Sequence, residues 1–169
     1  MSGKVEASGT AHGLDYDVWS NRGGYRCGYV RIPEGHALFG VDYSDEAPGV
    51  SKDDIAEEPL GKRGIISVFL AGLNDGVRLD LLFDVHGGLT FGGSRSNGGG
   101  WWLGFDCAHC GDAPDPDLMD EAMLRITSRY PRDPGDVVRS LDYVRSECES
   151  LAAQIVKRYP LALEGQVQP

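Results

Sequence analysis

Apolar and polar positions keep two different rhythms along this chain. Over the first two thirds, short apolar or aromatic runs are separated by Gly, Pro, Asn and Asp, which is the grammar of strands joined by tight turns. The runs at 25–32, 64–70, 77–86 and 101–107 are the candidate strands. The Asn74-Asp75-Gly76 turn predicts a hairpin that pairs 65–70 with 77–82. Ser51 followed by Asp54 resembles a capping box and predicts a short helix ended by Pro59. After residue 116 the period lengthens. Leu118, Met119, Ala122, Met123 and Ile126 fall three and four apart, predicting an amphipathic helix over 117–130 that Pro131 and Pro134 end. A second helix, capped by Asp136, carries Val137, Leu141, Val144, Cys148, Leu151, Ile155 and Tyr159 as one stripe, about six turns long. Arg139, Asp142, Arg145 and Glu149 occupy its other face. Residues 1–13 are small and polar, and 161–169 lose all periodicity, so both read as tails around a single domain at 14–160. The fold class these pieces predict is α+β, an antiparallel sheet packed on a long C-terminal helix.

Composition narrows the function classes. The formal net charge of -10 and the pI near 4.7 argue against broad nucleic-acid binding or attachment to an anionic membrane. The N-terminus has no signal-like apolar stretch, and the longest apolar run, 65–73, is broken by Ser67 and Gly72, so a soluble cytoplasmic protein is expected. In a reducing compartment Cys27, Cys107, Cys110 and Cys148 are expected as free or metal-bound thiols. Glycine is enriched, 24 of 169 residues, and many of these glycines lie between Gly87 and Gly111.

That glycine-rich stretch also holds the reactive residue types. If 79–86 and 101–107 are neighbouring antiparallel strands, alternation puts Asp84, His86 and Asp106 on one face, with His109 and Asp112 in the next turn. Two imidazoles and several carboxylates are what a hydrolytic metal site uses, so Asp84, His86, Asp106 and His109 are the candidate ligands of a divalent ion. Without an ion, His86, Asp106 and His109 are the candidate catalytic acid/base residues. As purely structural residues, the aspartates would cap turns and His86 would bond a backbone carbonyl. The spacing matches no H-E-x-x-H motif, and the glycine loop is not a P-loop. A phosphate-containing ligand would be met by the Gly87-Gly88 turn, Arg95, Trp102 as a stacking surface, and His36. Cys107, His109 and Cys110 form an alternative structural zinc set, whose missing ligands Cys27, Cys148 or a distant His would supply.

The joint pattern of Gly28-Tyr29-Val30-x-Ile32-Pro33-x-Gly35-His36, Val85-His86-Gly87-Gly88-Leu89-Thr90, Trp101-Trp102-x-Gly104-Phe105-Asp106-Cys107-Ala108-His109-x-Gly111-Asp112 and Tyr143-Val144-x-x-Glu147-Cys148-x-x-Leu151 resembles uncharacterised small proteins of bacteriophages and prophages. The resemblance covers roughly 25–156 and carries over no catalytic residue. It implies a phage-derived accessory protein acting in the bacterial host cytoplasm, where proteins of this kind often counter host defence. Two functions follow as expectations. One is binding, with or without hydrolysis, of a small phosphate-containing ligand such as a nucleotide signal. The other is an acidic protein-binding inhibitor that docks on a host defence protein.

Overall fold

The computed structural model describes residues 3–51, 76–95, 99–129 and 133–161. Its centre is a five-stranded antiparallel sheet of β1 (Gly3–Ala11), β2 (Leu14–Asn21), β3 (Arg26–Ile32), β4 (Phe91–Ser94) and β5 (Trp101–Asp106), in the order β1-β2-β3-β5-β4. One face packs on the long helix α2 (Leu141–Arg158), so the protein is α+β. Beside them stand a two-stranded parallel pair, β6 (Asp112–Ala113) with β7 (Val137–Val138), and a short helix α1 (Glu121–Thr127). No helix among the described residues is long and apolar enough to cross a membrane.

Local chemistry explains the sheet. His12 and Gly13 both take positive φ, 51° and 82°, and join β1 to β2 through a two-residue turn whose twist suits a hairpin. Leu14, Tyr16 and Val18 of β2, Val30 and Ile32 of β3, and Leu103 and Phe105 of β5 are buried on the helix side. Val144, Cys148, Leu151, Ala152 and Ile155 of α2 meet them in the same core. Gly28 marks the closest approach. A Cβ there would lie 2.4 Å from the Phe105 ring and 2.6 Å from Cys148 Sγ, so only glycine lets helix and sheet close at this point.

Several expectations are corrected. Residues 3–11 form an edge strand rather than a tail, held by cross-strand pairing and by Ser8 and Thr10 hydroxyls donating to Asp17 and Asp15. Residues 77–86 are not a strand: Leu79–Leu81 is a 3-10 turn, and Leu79, Asp80, Leu81, Leu82 and Phe83 are all buried, which alternation does not allow. The segment is held instead by α2, where the Gln154 side chain bonds both the N–H and the C=O of Asp84. The long helix begins at Leu141 with Ser140 as its cap, not at Asp136, because Val137 and Val138 pair with Asp112 and Ala113. The helix expected over 117–130 is a 3-10 turn, Pro116–Leu118, followed by α1 capped by Asp120; none of the α1 residues is buried, and Met119 enters the structure from the joint between the two. The expected helix at 51–58 and strand at 64–70 lie outside the described residues, apart from Ser51 itself.

Candidate functional site

Where β5 ends, the chain turns through Asp106 to His109 and returns at Asp112, beside the N-terminal end of α2 and the Gly87-Gly88 turn. Asp112 is the hub. Its side chain is fully buried, with Oδ2 accepting from His86 Nε2 at 2.8 Å and from the His109 backbone N–H at 3.0 Å, and Oδ1 accepting from Arg139 Nε at 2.7 Å. Burial pushes its carboxyl pKa up, but the hydrogen bonds from Arg139, His86 and the His109 amide outweigh that and hold it below the ordinary carboxylate value. A carboxylate only accepts, so His86 Nε2 carries the proton and Nδ1 is left to accept from the Tyr143 hydroxyl at 3.0 Å. The backbone of His86 is fixed as well, its N–H donating to the buried Glu147 carboxylate at 2.9 Å.

His109 completes the group. Its ring stands edge-on to His86 with centroids 5.7 Å apart, and it lies against Gly87, where a Cβ would fall 2.2 Å from the ring. Gly87 and Gly88 have φ of +67° and +85°, which bends this turn sharply enough to admit the imidazole. His109 Nδ1 is buried and makes no hydrogen bond; the nearest carboxylate oxygens are Asp106 Oδ1 at 3.7 Å and Asp112 Oδ2 at 3.9 Å. Asp106 itself is engaged by the Thr90 hydroxyl and the Ala108 N–H. One ligand atom from each of His86, His109 and Asp112 lies within 4.8 Å of the others.

Arg139 forms the solvent side of the site. Its guanidinium lies 5.1 Å from the Tyr143 ring, its side chain is 27% exposed, and its two terminal amino groups meet no acceptor among the described residues. The other expected residues are placed elsewhere. The Asp84 backbone is clamped to α2 by Gln154, and Asp84 does not join the group of His86, His109 and Asp112. Arg95 lies on the outer face of the sheet, 4.3, 4.1 and 4.8 Å from the ring centroids of Trp19, Tyr29 and Trp102, with Nη1 3.3 Å from Asp17. Stacked and paired in this way, it fixes Trp102 and the outer face; the guanidinium beside the histidines is that of Arg139. His36 donates through Nε2 to the Tyr159 carbonyl and accepts the Leu38 N–H. It therefore sits at the C-terminal end of α2, about 24 Å of helix away from Tyr143.

The cysteine alternative does not assemble. Cys107 points into the core while Cys110 is exposed, and neither belongs to the group around His109. Burial raises the Cys107 thiol pKa strongly. Sequence reasoning missed Arg139, Tyr143 and Glu147, and placed Asp112 in the turn beside the group without naming it as a ligand or catalytic residue. Glu147 did leave a signal, a carboxylate inside the apolar stripe between Val144 and Cys148. Comparison with known proteins finds no matching family model, no matching curated protein and no matching solved structure.

Proposed function

We propose that this protein is a phage-derived counter-defence protein that binds a small phosphate-containing ligand, of the class of nucleotide signals, at the His86–His109–Arg139 end of the sheet. The observation that carries the reading is the Arg139 guanidinium: Nε is anchored on a buried, ionised Asp112, and the two terminal amino groups are free of described acceptors beside two imidazoles. An oriented guanidinium suits phosphate oxygens, and anchoring removes part of the entropy cost of ordering it. The resemblance to phage proteins supplies the biological setting. Hydrolysis is the turnover this set is equipped for. Water oxygen would attack phosphorus, the P–O bond to the leaving group would break, and the proton that water gives to the His109 imidazole, whose neighbour His86 is held by Asp112 and Tyr143, would pass to the leaving oxygen.

Calorimetry with a panel of mononucleotides and cyclic nucleotides tests the reading. One equivalent should bind, and Arg139→Gln should weaken it by about tenfold or more, the worth of a charge-assisted hydrogen bond. If the bound nucleotide is turned over, His86→Ala should abolish turnover with the fold retained. Absence of binding to every member at millimolar concentration, together with salt-sensitive capture of a host protein, would support the acidic inhibitor instead.

A further inference from the structure

The geometry points to a divalent metal site of the zinc type formed by His86 Nε2, His109 Nδ1 and Asp112 Oδ2. It deepens the phosphate reading and rests on the same site, since an ion there would supply positive charge next to Arg139. Three observations converge on it. First, the donor atoms are already gathered. His86 Nε2 and Asp112 Oδ2 are 2.8 Å apart, and His109 Nδ1 and Asp112 Oδ2 are 3.9 Å apart. Ligands of a tetrahedral zinc stand ~3.3 Å from one another, so movements of about 1 Å would bring these atoms to that spacing.

Second, each donor is held from behind as ligands are in metal centres. When the ion displaces the Nε2 proton, His86 takes the Nδ1–H tautomer and donates to the Tyr143 hydroxyl, which already lies 3.0 Å away. Asp112 keeps Oδ1 on Arg139, leaving Oδ2 for the ion. The His109 ring is set by Gly87 beneath it and by its own N–H bonded to Asp112. Third, His109 Nδ1 is a buried nitrogen without a hydrogen-bond partner. Buried polar atoms are nearly always satisfied, so the orphan marks the place of a missing partner. Two imidazoles and one carboxylate prefer zinc to magnesium or calcium, and three protein ligands leave a position open for water or a phosphate oxygen.

The test is titration of the full-length protein, stripped with chelator, by Zn²⁺ in calorimetry and by Co²⁺ in visible spectroscopy. One equivalent should bind, with the d–d bands of a four- or five-coordinate cobalt. His109→Ala removes a partly exposed ring and should weaken binding by at least about a hundredfold, and Tyr143→Phe by about tenfold. His36→Ala should leave it unchanged, and thermal unfolding would establish that each variant is folded. Failure to bind either ion, or unchanged affinity in folded His109→Ala, would overturn the site. Repeating the nucleotide titration on metal-free and zinc-loaded protein separates the two claims. Nucleotide binding without any metal binding sinks the ion and keeps the phosphate reading; metal binding with no nucleotide binding does the reverse.

Discussion

Asp112 gathers the His86 imidazole, the His109 backbone N–H and the Arg139 guanidinium because it is ionised where water cannot reach it. Its lowered pKa fixes the sign of its contribution to stability: the contribution is fully present above the unfolded-state value, 3.8, and is lost as pH falls through the lower folded value. Asp112→Asn should therefore be less stable than wild type at neutral pH, with the gap narrowing in denaturant titrations as pH drops below 4. A gap independent of pH would show that the charge is not what stabilises. The thiols give a second residue-level expectation. Burial pushes Cys27 up to about 11 and Cys148 up to about 12, and raises Cys107 as well, while Cys110 is exposed. Thiolate is the reactive form, so a disulfide reagent at pH 8 should label Cys110 rapidly, the half-buried Cys27 more slowly, and the buried Cys107 and Cys148 only as fast as the protein opens.

Element by element, legibility followed the locality of the signal. The apolar stripe of α2 and the runs of β3 and β5 repeat within a few residues, and the structure places a helix and two strands there. β2 is not among the expected strands although Leu14, Tyr16 and Val18 alternate cleanly, and the polar β1 beside it has no apolar period, its pairing coming from the hairpin turn. The segment around Leu79–Leu81 misled because its apolar residues are buried at both parities, held by Gln154 and Glu147 from a helix some sixty to seventy residues away in sequence. The site divides along the same line. His86, Asp106 and His109 stand out as reactive types near glycines, whereas Arg139 and Tyr143 join them only through the β6–β7 pairing and the Ser140 cap. The contact of helix and sheet is tested at Gly28. Gly28→Ala should cost about 1–3 kcal/mol through overpacking against Phe105 and Cys148, read from the denaturation midpoint.

At the scale of the molecule, α2 both seals the core and builds the site: Leu151 and Ile155 are fully buried against the sheet, while Tyr143 and Glu147 hold His86. Leu151→Ala should destabilise the whole domain by about 2–5 kcal/mol in a single cooperative transition. Binding of a phosphate-containing ligand at this end of the sheet is read most directly from the imidazole resonances of the four histidines in a ¹⁵N-labelled sample titrated with the nucleotide panel. His12 lies in the β1–β2 turn and His36 at the far end of α2, so they serve as internal controls. The result expected is a saturable shift of His86 and His109 with His12 and His36 unmoved. Unchanged His86 and His109 signals across the panel at millimolar ligand, or shifts confined to His12 or His36, would contradict it.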